Sequence, residues 1–157
     1  MNSSDEDPET RSEFSERTIA LLQEAGWYPG RCISLRDFER VLEAEGYAVF
    51  PSVKEFLAEF GGLSIGYRYE PSYEDRLNFD AAAAAGAIFA DVVLQYAERL
   101  GKPLCVIGEY YANHYTIMMD PVGTVYGAFD DILNLLGTSG SDAIENIISG
   151  QNIEPIV

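Results

Sequence analysis

Apolar side chains recur with helical spacing through residues 11–60 and predict three short helices, each followed by glycine. These helices are expected to start at Arg11, Ser34 and Ser52 and to stop at Gly26, Gly46 and Gly61. Residues 1–10 hold no apolar side chain after Met1 and are expected to form a disordered acidic tail. The remaining residues, 11–157, are then expected to form a single domain.

The apolar pattern changes to every second position at residue 63, which predicts a half-buried strand. Its apolar positions are Leu63, Ile65, Tyr67 and Tyr69. The polar residues 71–76 predict a loop, and residues 77–79 predict a short strand. Asp80 is then expected to cap one long helix that ends at Gly101.

The last third of the chain is mostly strand-like. Residues 104–109 predict an apolar strand, residues 113–127 a hairpin, and residues 131–136 one helical turn. Ser139 or Ser141 is expected to cap a final helix. Helices first and a meander of strands later indicate an α+β fold, in which helices pack on one side of a mostly antiparallel sheet.

Composition excludes several classes of function. The 157 residues include 26 acidic and 10 basic side chains, for a net charge of −16. A surface this acidic repels phosphate backbones and anionic lipid, so neither nucleic acid nor a membrane is an expected partner. No apolar run is long enough to span a bilayer, and the N-terminus lacks the pattern of a secretory signal. We therefore expect a cytoplasmic protein.

The acidic residues are unevenly distributed along the chain. Residues 103–157 contain no lysine or arginine and seven carboxylates, which are Glu109, Asp120, Asp130, Asp131, Asp142, Glu145 and Glu154. Any single acid could serve solubility alone. A meander and helix with charge of only one sign nevertheless predict a surface that docks a cationic protein.

Candidate catalytic chemistry is sparse. His114 is the only histidine, and it is expected to be a structural or partly exposed strand residue. Asp130 and Asp131 could hold a metal, but such a pair more often caps a helix. Cys105 lies in an apolar strand and is expected to be an inert, buried thiol, while Cys32 has no neighbouring base. The sequence therefore predicts neither an enzyme nor a bound cofactor or metal, although an enzyme that pairs His114 with a carboxylate stays open as an alternative.

Tyrosines interspersed with carboxylates are typical of protein-binding surfaces, because tyrosine offers a large contact area at low entropic cost. Two such stretches surround the first strand and the strand at residues 104–109, and an acidic pair follows later. The predicted contact residues are Tyr69, Glu70, Tyr73, Glu74, Asp75, Glu109, Tyr110, Tyr111, Asp130 and Asp131.

Five blocks of the sequence resemble one protein family. Residues 21–31 read LLQEAGWYPGR and are similar to the L-x-x-A-G-W-x-P-G-R opening of the third group of the SUKH superfamily. Residues 53–63, VKEFLAEFGGL, resemble its F-L-x-x-F-G-G-L block. Residues 100–108, LGKPLCVIG, resemble its strand entry, although Val106 stands where that pattern has a small residue or proline. Residues 119–126, MDPVGTVY, resemble its D-x-x-G-x-V-Y hairpin, and residues 141–150 resemble its last helix.

The resemblance covers about residues 14–150 and implies a SUKH-like α+β fold, a mostly antiparallel sheet flanked by helices. It also implies an immunity protein of a bacterial polymorphic toxin system. Such proteins bind a cognate toxin domain, often one that acts on nucleic acid, and block it without catalysis. An acidic inhibitor suits the basic groove of such a toxin. A SUKH-type interaction module unrelated to toxin immunity is the alternative.

Overall fold

Six helices and seven strands form the part of the chain that the computed structural model describes, residues 14–157, with only the backbone of Tyr69 and Glu70. The predicted tail and the expected helix start at Arg11 lie outside the described residues. In chain order the elements are α1 (Glu16–Glu24), α2 (Arg36–Ala44), α3 (Pro51–Phe60), β1 (Ser64–Glu70), β2 (Tyr73–Asn78), α4 (Ala81–Gly86), α5 (Ala90–Leu100), β3 (Cys105–Tyr110), β4 (Tyr115–Met119), β5 (Val125–Phe129), β6 (Ile132–Gly137), α6 (Gly140–Ser149) and β7 (Glu154–Pro155).

The strands form one antiparallel meander in which β1 to β7 follow each other in chain order. The pairing between β2 and β3 is short, because only Leu77↔Tyr110 and Asn78↔Glu109 are in register. The first residues of β2 therefore extend past the end of β3.

Helices cover both faces of the sheet, so the expectation of helices on one side is wrong. Thr116 pairs with Ala128 and Ile117 pairs with Gly127 across β4 and β5. Because side chains alternate along a strand, the first pair faces one side of the sheet and the second pair faces the other. Val92 and Tyr96 of α5 line a groove with Thr116 and Ala128 on one face. On the other, a Cβ added to Gly137 of β6 would collide with the backbone of Ala143 in α6. The central strands are buried on both sides as a result.

Only some of the helices begin at a serine whose side chain caps the first turn. The Ser15 hydroxyl accepts a hydrogen bond from the Thr18 amide at the start of α1, and Ser139 caps α6 in the same way, as one of the two predicted alternatives. Ser52 is not a cap, because α3 begins one residue earlier at Pro51. Its hydroxyl donates instead to the main-chain oxygen of Asp120, 2.9 Å away.

Three local predictions are wrong. Residues 73–76 belong to β2 and not to a loop; their polar pattern arises because one face of the hairpin is open to solvent. The single long helix is broken into α4 and α5, since Gly86 weakens the helix and Phe89 adopts an extended backbone. Residues 132–137 form β6, because Asp130 turns the chain with a positive φ of 54°.

The first two sequence blocks of the family resemblance bind each other. Trp27 donates its indole N–H to Glu59 Oε2 at 3.0 Å, and Arg31 donates to the main-chain oxygens of Glu59 and Gly61 at 2.6 and 2.9 Å. A Cβ added to Gly61 would collide with the main-chain oxygen of Leu57 in α3 and with the Phe38 ring, and Gly62 has a φ of +82° that favours glycine. These residues fix how the chain leaves α3 and enters β1.

The third and fourth blocks meet at a buried carboxylate. Asp120 is fully buried in the turn between β4 and β5. Its Oδ1 accepts hydrogen bonds from the amides of Val122 and Thr124, while its Oδ2 accepts from Lys102 Nζ at 3.0 Å and from the Tyr126 hydroxyl at 3.4 Å. The ammonium neutralises the buried charge, and the carboxylate in turn raises the pKa of Lys102.

We expect Asp120→Ala to lower the free energy of unfolding by about 3–5 kcal/mol, since it leaves several donors without an acceptor and the Lys102 ammonium without its counterion. Urea unfolding followed by circular dichroism measures this change. Glu43→Gln, which removes an exposed carboxylate from α2, is the control and should change stability by less than about 0.5 kcal/mol. A loss for Asp120→Ala no larger than the control would contradict the structural role of the carboxylate.

No helix among the described residues is both long and apolar enough to cross a membrane.

Candidate partner-binding surface

The ten predicted contact residues lie on or beside three turns at the same end of the sheet. In an antiparallel meander every second turn falls at one end, so the β1–β2, β3–β4 and β5–β6 turns are neighbours. We call this region the turn end; it comprises residues 69–75, 109–115 and 129–132. Sequence positions far apart are thereby brought together, although the β1–β2 turn extends further out than the other two.

An aromatic cluster crosses the turn end from β3 to β5. The rings of Tyr110 and Tyr115 stack with centroids 5.0 Å apart, and Tyr115 also contacts Tyr111 and Phe129 at 5.9 and 5.7 Å. The His114 ring lies 5.5 Å from Phe129. Tyr111 and Phe129 are 41% and 38% exposed, so the cluster has a solvent-facing side. Partly exposed, mutually packed aromatics are the anchors that protein interfaces favour.

Two of the ten residues are buried and support this surface from below, contrary to the expectation that they are exposed. Tyr110 is 8% exposed, and burial is the main reason that its pKa is raised. Asp75, also 8% exposed, accepts hydrogen bonds from the amides of Ala112 and Arg76 at 2.9 and 2.7 Å. Asp75 therefore joins the β1–β2 hairpin to the β3–β4 turn at the point where the strands separate.

The β3–β4 turn has a strained backbone. Tyr111, Ala112 and Asn113 have consecutive positive φ angles of 58°, 55° and 63°. Each costs roughly 1–2 kcal/mol for a residue with a side chain. Asp75 holds the amide of Ala112, and Asn78 donates its side-chain amide to Asn113 Oδ1 at 2.9 Å. These two hydrogen bonds hold the turn in its strained conformation.

Helix α5 fixes the β5–β6 turn. The Tyr96 hydroxyl donates to the main-chain oxygen of Asp130 at 2.5 Å, and Arg99 donates to that of Asp131 at 3.0 Å. Burial and the Asp130 carboxylate raise the pKa of Tyr96. These contacts use the carbonyls of the turn, so both carboxylates are left exposed to solvent. The acidic pair forms a hairpin turn and does not cap a helix.

The carboxylates of the turn end differ in whether an ion pair or a hydrogen bond stabilises their negative charge. Glu74 forms an ion pair with Arg68 at 2.9 Å on the exposed side of the hairpin. Glu109 is half-buried, and among the described residues its carboxylate has neither a hydrogen bond nor an ion pair. Burial, and secondarily the charge of Asp80, raise the pKa of Glu109. Tyr69 and Glu70 lie on β1, and their side chains are outside the described part of the chain.

The structure places the candidate reactive groups apart. His114 is exposed beside the aromatic cluster, and within residues 14–157 no carboxylate hydrogen-bonds to its ring. Burial raises the pKa of Cys105 to about 12, so this thiol is inert as predicted, whereas Cys32 is exposed. The described residues contain no group of three potential metal ligands.

The described residues form an α+β fold, with a seven-stranded antiparallel sheet flanked by helices. A family model described as SUKH-3 immunity protein matches residues 14–150, which is most of the chain. The chain therefore belongs to the SUKH-3 immunity protein family, as the five sequence blocks indicate. Searches of curated proteins and of solved structures gave no significant match.

We expect Glu109→Gln to stabilise the protein slightly at neutral pH. The pKa of Glu109 is higher in the folded protein than its ordinary value of about 4.5, so folding disfavours the ionised carboxylate. The wild-type protein therefore loses stability as the pH rises from the unfolded-state pKa through the folded-state pKa. After discounting for partial exposure, Tm at pH 7 should rise by about 1–2 °C relative to wild type. Differential scanning calorimetry at pH 4 and pH 7 measures the difference, which should shrink at the lower pH. If the Tm of Glu109→Gln at pH 7 is equal to or lower than that of wild type, the carboxylate of Glu109 does not destabilise the folded protein.

Proposed function

We propose that this protein neutralises a cognate toxin domain by binding it directly through the turn end of the sheet. Membership of the immunity protein family supports a toxin as partner. The observation that carries the choice of surface is the convergence of three sequence-distant turns into one aromatic cluster bordered by carboxylates. The family's sequence blocks are engaged in internal contacts, so they leave this end of the sheet available for a partner.

The charge of the turn end favours a toxin with a basic surface. Glu109, Asp130 and Asp131 have no ion pair among the described residues, whereas the nearby Arg99 uses its guanidinium on main-chain oxygens. Toxins that act on nucleic acid need basic residues to bind phosphate. An acidic surface would attract such a toxin and speed its association by electrostatic steering. We place this encounter in the cytoplasm, where an immunity protein would meet the incoming toxin.

The rigidity of the turn end supports tight binding. The β3–β4 turn is held by Asp75 and Asn78, and the β5–β6 turn by Tyr96 and Arg99. A surface that is ordered before binding loses less conformational entropy when the complex forms. We expect the binding residues to be Tyr73, Glu74, Glu109, Tyr111, Phe129, Asp130 and Asp131, together with Tyr69 and Glu70 on the projecting hairpin.

The proposed function is tested with the C-terminal domain of whichever large secreted protein is encoded nearest to this chain. Co-expression should restore growth to cells that produce this domain, and the two purified proteins should form a complex. A folded protein that forms no complex and gives no rescue would overturn toxin immunity and leave the alternative of a general interaction module. His114→Ala should rescue growth as well as wild type does; loss of rescue with the complex intact would revive the enzyme alternative.

The proposed surface makes a kinetic prediction. Asp131→Lys should slow association with the toxin domain by about 10-fold at low salt and by much less at high salt, because the charge acts through steering that salt screens. Stopped-flow or surface plasmon resonance at two ionic strengths measures both rates. Glu43→Lys on α2 makes the same change of net charge away from the turn end and is the matched control. Equal effects of the two variants would show that net charge alone steers the encounter.

A further inference from the structure

One face of the sheet at the turn end carries aromatic and apolar side chains. Phe129 pairs with Ile132 across β5 and β6, and Tyr110 pairs with Tyr115 across β3 and β4. The rings of Tyr115 and Phe129 are in contact, so both pairs lie on the same face. Because side chains alternate along a strand, the neighbouring Glu109 faces the opposite side. We call Tyr110, Tyr115, Phe129 and Ile132 the apolar face.

A glycine in β5 lets the rings of the apolar face pack as a layer. A Cβ added to Gly127 would lie 3.2 Å from Cε1 of Tyr110, so the Tyr110 ring lies across β5 in the space that this missing side chain leaves. Tyr115 stacks on the buried Tyr110 ring with centroids 5.0 Å apart, and the Phe129 ring contacts Tyr115 at 5.7 Å. Phe129 is therefore held by its neighbours in the isolated chain.

The outer edge of the apolar face is open to solvent. Phe129 and Ile132 are 38% and 43% exposed, although they are paired neighbours. Helix α6 packs on the same face at the opposite end of β6, where a Cβ added to Gly137 would lie 2.4 Å from the amide nitrogen of Ala143. Adjacent large apolar side chains that stay exposed are typical of surfaces that associate with another protein.

The tip of the β5–β6 hairpin adds negative charge to this apolar edge. Asp130 and Asp131 lie between Phe129 and Ile132 in the chain, and both are exposed. Helix α5 donates hydrogen bonds to their main-chain oxygens, and within residues 14–157 neither carboxylate forms an ion pair. The whole stretch from residue 103 to residue 157 lacks lysine and arginine. A partner that matches this edge therefore presents positive charge beside an apolar side chain.

We propose that the toxin domain packs one large apolar side chain on Phe129 and Ile132 and places lysine or arginine residues beside Asp130 and Asp131. This inference rests on the proposed function for the identity of the partner, and it assigns different roles to the two kinds of contact. Burial of the apolar edge slows dissociation, whereas the carboxylates speed association. Because the Phe129 ring is already held by Tyr115, it loses little conformational freedom on binding.

Dissociation of the toxin complex tests the apolar contact. Ile132→Thr keeps a β-branched strand residue but removes apolar surface, so it should raise the dissociation rate by about 5- to 20-fold at both low and high salt. Val122→Thr is the matched control, because Val122 is 78% exposed on the β4–β5 turn at the other end of the sheet. The control should change the dissociation rate by less than about two-fold.

Association of the same complex tests the charged contact. The double variant Asp130→Asn and Asp131→Asn should slow association by about 10-fold at low salt and by much less at high salt, and it should change dissociation by less than about three-fold. The apolar contact is refuted if Ile132→Thr and Val122→Thr dissociate at the same rate. It is also refuted if the effect of Ile132→Thr vanishes at high salt, as that of the carboxylates should.

A measurement on the wild-type protein removes any dependence on how the variants fold. Methyl groups of isoleucine and valine are labelled with ¹³C, and their signals are quenched with the soluble nitroxide TEMPOL. Binding of the toxin domain should reduce the quenching of the Ile132 methyl groups by about three-fold or more, because interface cores exclude solvent, and should leave those of Val122 unchanged. Equal quenching of Ile132 in the free and bound protein would place the contact elsewhere and refute the inference.

The outcomes separate the two proposals. If the toxin domain binds wild type and Ile132 is neither protected nor needed for slow dissociation, the apolar contact is wrong and the proposed function stands. If the toxin domain does not bind wild type and gives no rescue, the proposed function fails, and the inference fails with it.

Discussion

The fold depends on one buried carboxylate that ties four parts of the chain together. Asp120 closes the β4–β5 turn with its own side chain, receives Lys102 from the end of α5, and accepts Tyr126 from β5. Its main-chain oxygen receives Ser52 from α3. A charge with no exposure to water is tolerated only because every one of these donors is present. The Lys102–Asp120 contact fixes the chain that follows α5 beside the β4–β5 turn, and α5 in turn donates hydrogen bonds to the β5–β6 turn.

The sequence blocks of the SUKH-3 family are accounted for by internal contacts of this kind. Trp27 and Arg31 of the first block bind Glu59 and Gly61 of the second, and Lys102 of the third binds Asp120 of the fourth. These contacts build a frame that any member with the same blocks could share. The turn end lies mostly outside the blocks, so its residues are free to suit one particular partner without disturbing the frame.

The turn end combines rigidity with unfavourable charge. Three consecutive residues with positive φ and a half-buried Glu109 both cost folding free energy, and the internal contacts of Asp75, Tyr96 and Arg99 offset that cost. A protein of net charge −16 with little positive charge at this end attracts a cation strongly. The proposal of a basic partner therefore rests on the same features that make the free protein less stable.

The sequence by itself determined the helices that glycines terminate, the apolar strands, the α+β class and the family, because these depend on local periodicity and turn chemistry. Composition also predicted ten contact residues, and these lie on or beside three turns at one end of the sheet. Only the tertiary structure decided that β2 is a strand, that helices cover both faces, and that Asp75 and Tyr110 are buried. It alone placed the Phe129 ring against those of His114 and Tyr115, since neighbours across the sheet are not visible in the sequence. Cross-strand register sets these contacts, and register depends on pairing between residues far apart in the chain.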